Sequence, residues 1–142
     1  MGVLSTEGTA RMAIYPRRLK QLGLQVLVPT ATEFSTLVSP GIALVKAGEV
    51  AAASRRLARA AALLRERGAR AVILGCTEIP LALRAQLARQ PEVFIDSTAA
   101  LVQAVLASLR TPAADVLSLP RPPLLHRPDP DAARCQPAAP VR

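Results

Sequence analysis

The sequence predicts an α/β fold in which helices flank a four-stranded parallel sheet. Short apolar runs alternate with longer helical patterns over residues 1–110. The run at residues 71–74 is apolar throughout, which is typical of a central strand in a parallel sheet. Because the chain contains two Phe, one Tyr and no Trp, its core must be built from aliphatic side chains.

The first half of this region holds two expected strands and two expected helices. Gly23 ends the first helix, and Pro29 stops the second strand. Pro40 should break or kink the second helix, because proline lacks the amide that continues a helix. In chain order, the elements are a strand at residues 2–5, a helix at 10–22, a strand at 25–28 and a helix at 33–47.

The second half contains the clearest helix, at residues 50–67, where apolar residues recur at helical spacing. Its apolar stripe consists of Val50, Ala53, Leu57, Ala60, Ala61 and Leu64. The other expected elements are a strand at 71–74, a short helix at 80–89, a strand at 93–95 and a final helix at 97–109. Asp96, Ser97 and Thr98 are the kind of residues that cap the start of such a helix.

Composition changes sharply near Thr111. Eight of the 13 prolines lie in residues 111–142, which predicts a Pro-rich, disordered C-terminal tail. Residues 1–110 are expected to form one α/β domain. No apolar run approaches the roughly 20 residues that span a bilayer, and the chain start lacks the pattern of a signal peptide.

Charge and cysteine content narrow the function classes. Cys76 and Cys135 lie far apart in dissimilar contexts, which favours a reducing, cytoplasmic location over a disulfide framework. The net charge is +8, but no block of five or more like charges occurs, and the few aromatic residues argue against nucleic-acid binding. His126 is the one histidine, so there is no histidine pair to hold a metal ion.

Polar side chains follow each of the four expected strands. The turns are Ser5–Thr9, Pro29–Glu33, Gly75–Glu78 and Asp96–Thr98. In open parallel sheets, ligands bind beyond the carboxyl ends of the strands. We therefore expect the four turns to converge on one site.

Cys76 lies between an expected strand and a helix that begins near Pro80. Backbone amides at a helix start favour negative charge, so this position should lower the pKa of the thiol and populate the thiolate. Thr77 and Glu78 add a hydroxyl and a carboxylate beside it. The alternative is a buried, inert cysteine at a strand end, which is common.

The stretch Ala71–Leu81, with Gly75-Cys76-Thr77-Glu78 at its centre, closely resembles the second cysteine motif of the aspartate/glutamate racemase family. Further similarities keep the family's order over residues 2–109. They are Leu4–Thr9 with Tyr15, Pro29-Thr30 with Glu33, Val45–Gly48, and Ile95–Thr98. The resemblance implies a flavodoxin-like racemase domain.

The resemblance also implies a cofactor-independent racemase or epimerase that acts on an acidic amino acid. In that family two cysteines face opposite sides of the α-carbon, and one removes a proton while the other delivers one. Cys76 corresponds to the second cysteine, Thr77 to a residue that helps to hold the substrate carboxylate, and Thr9 to a pocket wall. Lys46 corresponds to a cation near the substrate, or else it complements its helix dipole. Glu78 is a site candidate that could instead cap a helix.

The family's first cysteine, in a Cys-Asn-Thr context, belongs to an N-terminal domain without a counterpart in this sequence. The chain is therefore interpreted as one half of a two-domain racemase, or as a non-catalytic, acidic amino-acid-binding remnant. A one-cysteine relative such as a decarboxylase is a third reading, against which Thr77-Glu78 argues. The helix at 97–110 is apolar nearly all round, so we expect it to pack against the N-terminal domain or to drive self-association.

Overall fold

The structure, a computed structural model, describes residues 1–110 of the 142-residue chain. The predicted tail, with His126 and Cys135, lies outside the described residues. In chain order, the elements are β1 (Gly2–Ser5), α1 (Glu7–Arg11), α2 (Ile14–Gln21), α3 (Ala31–Glu33), a π-helical turn (Phe34–Val38), α4 (Ser39–Lys46), α5 (Val50–Glu66), β2 (Val72–Gly75), α6 (Glu78–Ala82), α7 (Arg84–Arg89), β3 (Phe94–Asp96) and α8 (Ser97–Arg110). This alternation of strands and helices confirms the α/β class.

Three parallel strands form the sheet, in the order β1-β2-β3. Val3 pairs with Ile73, and Ile73 pairs with Ile95. Because side chains alternate between the two faces of a strand, these three residues share one face of the sheet. All three strands end at the same edge, where the chain passes into helices.

The prediction of a fourth strand at residues 25–28 is wrong, because this segment forms a single parallel bridge at Leu27, beside β1. The Leu27 amide donates to the carbonyl of Met1 at 2.8 Å, and the Val3 amide donates to the carbonyl of Leu27 at 2.9 Å. The next amide that would extend this ladder belongs to residue 29, which is proline and has no N–H. Pro29 therefore ends the pairing after one bridge.

Of the two outcomes predicted for Pro40, a break does not occur, and the helix instead contains a π-helical turn just before this proline. The helix α3, the π-helical turn and α4 follow one another without interruption over residues 31–46. Proline has no amide to donate to the carbonyl of Thr36, four residues earlier. Instead, Nη1 of Arg56 on α5 donates to that carbonyl at 2.8 Å. A side chain from the neighbouring helix thus satisfies the carbonyl that Pro40 leaves free.

The main core lies on the sheet face covered by α4, α5 and α6. Its fully buried members are aliphatic, as predicted, and include Leu4, Val38, Leu57, Leu64, Val72, Leu74, Ile79 and Leu83. The predicted stripe on α5 is buried except for Val50, which is 43% exposed at the start of the helix. Gly41 of α4 approaches Leu57 so closely that an added Cβ would lie 2.8 Å from the Leu57 Cγ.

The opposite face of the sheet is only partly covered. Val3 is buried in a small cluster with Leu19 and Tyr15 of α2. Ile95, on the same face at β3, is 38% exposed. The helix α8 runs beside this face and has no buried residue. Burial therefore decreases across this face from β1 to β3. Within residues 1–110, no helix has both the length and the apolar character that membrane crossing requires.

Candidate active site

The carboxyl edge of the sheet brings together the ends of all three strands. Ser5, the last residue of β1, pairs with Gly75, the last residue of β2. Ser97, directly after β3, donates from its Oγ to the carbonyl of Leu74 at 2.8 Å. The turns after β1, β2 and β3 therefore meet at one edge, as the sequence predicts for these three of the four turns. The fourth turn, Pro29–Glu33, follows a single bridge and not a strand of the sheet.

Two of the predicted polar turns have structural roles. Oδ1 of Asp96 accepts hydrogen bonds from two amides of the first turn of α8, at 2.8 and 3.2 Å, which confirms the predicted cap. Thr30 and Glu33 form a reciprocal capping box at the start of α3. Oε2 of Glu33 also pairs with Nη2 of Arg67 at 2.9 Å. The carboxylate of Glu33 therefore has a structural role, as a helix cap and as the partner of Arg67.

The carboxylate of Glu78 contacts three of the other four predicted site residues, Cys76, Thr77 and Lys46. Oε2 of Glu78 accepts hydrogen bonds from the thiol of Cys76 and from the hydroxyl of Thr77, each at 2.8 Å. The other oxygen, Oε1, lies 3.6 Å from Nζ of Lys46. We call these four residues the Cys76 cluster.

Local chain geometry explains how the Cys76 cluster forms. The strand β2 ends at Gly75 and α6 begins at Glu78, so Cys76 and Thr77 form the short connection between them. Lys46 is the last residue of α4, which packs against α6. The Thr77 side chain makes no capping bond to α6. The Glu78 carboxylate accepts from the side chains of Cys76 and Thr77, and its own backbone amide also lowers its pKa. Its role as a site residue stays a prediction, as does the capping alternative.

Hydrogen bonding and burial set the charges in the Cys76 cluster. The thiol of Cys76 first, then the hydroxyl of Thr77, and to a lesser extent the charge of Lys46, lower the pKa of Glu78 to about 2. Glu78 is therefore ionised at neutral pH. Burial, followed by the hydrogen bond to the Glu78 carboxylate, raises the pKa of Cys76 above its usual value.

The expectation of a thiolate at Cys76 is therefore wrong. The amides of Glu78 and Ile79 do lower the pKa of Cys76, as a helix start should, but burial and the Glu78 carboxylate outweigh them. A carboxylate that accepts the S–H bond and repels a second negative charge favours the protonated form. Cys76 is thus a thiol that is held as a hydrogen-bond donor.

Replacing Glu78 with Gln should lower the pKa of Cys76, because the glutamine amide carries no charge that opposes the thiolate. Part of the rise should remain, since burial is its largest cause. The measurement is the rate of iodoacetamide alkylation of Cys76 against pH, with Cys135→Ser in both proteins so that one thiol reacts. An alkylation midpoint that stays in place or moves upward would contradict the assigned charge of Glu78.

Thr9, the fifth predicted site residue, lies in α1 just beyond the carboxyl end of β1. Its amide donates to Oγ1 of Thr6 at 3.2 Å, and the two hydroxyl oxygens lie 2.9 Å apart. These bonds hold Thr9 to its own helix start and do not connect it to the Cys76 cluster. Its role as a pocket wall stays a prediction.

Tyr15 contacts the strand end directly before Cys76. An added Cβ on Gly75 would lie 2.6 Å from Cε2 and 2.9 Å from Cζ of the Tyr15 ring. Only glycine leaves room for the ring at this position. This contact was not predicted from the sequence, although a glycine at the end of a buried strand is a signal that another group approaches closely.

Replacing Gly75 with Ala should displace the Tyr15 ring and cost about 1–3 kcal/mol of stability, because the new methyl group overlaps the ring. Tyr15 is the one tyrosine and the chain has no tryptophan, so tyrosine fluorescence reports this position alone. Quenching by acrylamide should increase in the variant. Gly8→Ala is the matched control, since the nearest atom to its added Cβ is 4.0 Å away. Equal quenching in both variants would contradict the contact.

An apolar groove of about 470 Å³ lies between α2 and α8, on the sheet face opposite the main core, and none of the residues that line it belongs to the Cys76 cluster. Its floor is Ile73 and Ile95, and its sides are Tyr15 and the first turns of α8. The groove contains no ionisable side chain other than the Tyr15 phenol.

The sequence is similar to known proteins. The sequence model of a family described as Asp/Glu/Hydantoin racemase matches residues 1–105. A protein of Pectobacterium carotovorum subsp. carotovorum, described as "Uncharacterized protein in pnlA 3'region", is 29% identical over 103 residues, which are 72% of this chain and 68% of that relative. The family match extends from β1 through the Cys76 cluster into α8. The chain belongs to the Asp/Glu/Hydantoin racemase family.

Proposed function

We propose that this chain carries the Cys76 half of a cofactor-independent racemase for aspartate or glutamate. The observation that supports this most directly is the thiol of Cys76 donating to the Glu78 carboxylate at the carboxyl edge of the sheet. The match of residues 1–105 to the racemase family supports racemase chemistry for this part of the chain. A positioned thiol is suited to give a proton to, or take one from, the carbon next to a carboxylate.

In the proposed reaction, Cys76 begins as the acid, because its raised pKa keeps the thiol protonated at neutral pH. A base removes the α-proton from one face of the substrate, and the thiol delivers its proton to the other face. The turnover leaves Cys76 as a thiolate and the base protonated, and reaction in the reverse direction restores both. Cys76 is the one cysteine in residues 1–110, so the two-thiol route needs a second group from outside that range.

Lys46 and Thr77 are the proposed contacts to the substrate carboxylates. The side chain of Lys46 is exposed, and its ion pair with Glu78 spans 3.6 Å. Exposed pairs of this kind contribute little free energy, so a substrate carboxylate can compete for the lysine. The hydroxyl of Thr77 is exposed as well and can turn from Glu78 to the substrate. Thr9 is the proposed wall on the β1 side.

The test is α-proton exchange in heavy water by the full chain, with each hand of aspartate and glutamate supplied separately. Proton NMR follows the exchange, and chiral chromatography follows inversion. We expect exchange of one hand of one amino acid, faster as pH rises towards the raised pKa of Cys76, because only the thiolate accepts a proton. Inversion should be slow until a second acid/base group is supplied.

The proposal would be wrong if the folded protein bound an acidic amino acid but exchanged no α-proton at any pH. The chain would then be a non-catalytic binding domain. No contact within residues 1–110 favours such a binding domain over the racemase, although it would use the same Lys46 and Thr77. Both functions would be excluded if the folded protein neither bound nor exchanged L- or D-aspartate or L- or D-glutamate.

A further inference from the structure

The hydrogen bond from Ser97 to Leu74 joins the start of α8 to the end of β2. Oγ of Ser97 donates to the carbonyl of Leu74 at 2.8 Å. Leu74 is fully buried, and it lies two residues before Cys76. Because a buried carbonyl needs a donor, this bond stabilises the strand directly ahead of the Cys76 cluster.

The hydroxyl of Ser97 lies where the ladder between β2 and β3 would place a backbone amide. A residue of β2 bonds to the neighbours of its register partner in β3, as the Val72 amide does to the Val93 carbonyl. Leu74 pairs with Asp96, so the donor to its carbonyl comes from the next residue, Ser97. At that residue the chain leaves β3 and begins α8. The ladder therefore ends on a side chain, which a substitution can remove.

Contacts from three directions hold the end of β2. Ser5 of β1 pairs with Gly75 on one side. The ring of Tyr15 lies against Gly75 from the face of the sheet. Ser97 bonds on the side of β3. Cys76 is the next residue along the chain, so the position of its backbone depends on these contacts.

We propose that Ser97 is a positioning residue for Cys76, on which it acts through the backbone of Leu74 and Gly75. The effect on turnover rests on the acid/base role proposed above for Cys76. The thiol donates to the Glu78 carboxylate at 2.8 Å, and this geometry requires a fixed strand end. A displacement of about 1 Å at a reacting group can reduce a rate by about 10²-fold.

The alternative is that Ser97 only stabilises the fold, and the pKa of Cys76 separates the two roles. Burial and the Glu78 carboxylate raise this pKa and outweigh the amides of Glu78 and Ile79. Glu78 is the charged group that acts on the thiol, and Lys46 pairs with that carboxylate. If the end of β2 relaxes, burial and the bond to Glu78 both weaken, so the pKa should fall towards its ordinary value. A purely structural role would leave the pKa of the folded protein unchanged.

The first test is the rate of iodoacetamide alkylation of Cys76 against pH, in the full chain with Cys135→Ser in every protein. Ser97→Ala should move the alkylation midpoint to lower pH. Ser97→Thr keeps the hydroxyl and should keep the midpoint of the starting protein. Oδ1 of Asp96 still accepts from the first amides of α8 in each variant, so the start of the helix is preserved.

Thr98→Ala is the control for loss of a hydroxyl in the same turn. Thr98 is exposed and lines the same groove as Ser97, but within residues 1–110 its hydroxyl bonds to no strand. This change should leave the midpoint in place. Circular dichroism and thermal unfolding show that each variant is folded at the temperature of the measurement.

The second test is α-proton exchange over the same pH range. Ser97→Ala should lower the maximum rate by about 10–10²-fold and shift the pH profile downward together with the alkylation midpoint. Ser97→Thr and Thr98→Ala should exchange at close to the starting rate. A starting protein without exchange would count against the acid/base role of Cys76, while the alkylation midpoint still decides the role of Ser97. A folded Ser97→Ala protein with an unchanged or higher midpoint, or an equal shift in Thr98→Ala, would overturn the proposal.

Discussion

Replacing Cys76 with Ser should reduce α-proton exchange of the substrate amino acid by about 10²–10⁴-fold, the range that general acid/base groups contribute. Serine keeps the size of the side chain and can still donate to Glu78. Its hydroxyl, however, is a far weaker acid than a thiol, so it neither delivers nor accepts a proton at a comparable rate. The measurement is the initial rate of deuterium incorporation at the α-carbon, at matched protein concentration.

Cys135→Ser is the control for this change, since it removes the other thiol of the chain and should leave the exchange rate unaltered. Thermal unfolding of both variants shows whether either rate reflects loss of the fold. Cys76 is only partly buried, so the serine variant should unfold close to the temperature of the starting protein. Exchange by folded Cys76→Ser at the original rate would falsify the acid/base role of Cys76.

Replacing Leu57 with Ala should lower the free energy of unfolding by about 2–5 kcal/mol, because the side chain is fully buried and its removal leaves a cavity. Leu57 lies where α5 meets the sheet and Gly41 of α4. Whole domains are stable by only about 5–15 kcal/mol, so this one change removes a large share. Urea unfolding followed by circular dichroism gives the difference.

Leu81→Ala is the matched control for the core, because Leu81 is 61% exposed on α6. Its free energy of unfolding should change by less than about 0.5 kcal/mol. Adding Gly41→Ala to the Leu57→Ala protein should restore part of the lost stability, since the new methyl group points into the space that Leu57 leaves. A double variant less stable than Leu57→Ala alone would contradict the close approach of α4 to α5.

The sequence predicted the elements whose signals are local and repeated. The stripe on α5 was readable because helical spacing places Ala53, Leu57 and Leu64 on one face, and all three are buried. The meeting of strand ends was readable because parallel strands finish at one edge. Cys76, Thr77 and Glu78 are consecutive in the chain after β2, whereas Lys46 reaches them through the packing of α4 against α6, which the strand-end rule does not imply.

The remaining features depend on partners far apart in sequence. The missing strand pairing depends on Pro29 falling at the one position whose amide would continue the ladder beside β1. The continuous helix through Pro40 depends on Arg56, 20 residues away from the carbonyl that it serves. The protonation state of Cys76 depends on burial, which raises its pKa, and on the helix amides, which lower it. None of these outcomes follows from the local pattern alone.

The two edges of the sheet differ in structure, and both limit the pairing of strands between copies of the chain. On one side Pro29 stops pairing after a single bridge, and on the other β3 is only three residues long. Interrupted and very short edges offer a poor template for adding strands from other molecules, the route that leads to amyloid-like growth. Aggregates that form at high protein concentration should therefore bind no thioflavin T and should dissociate on dilution.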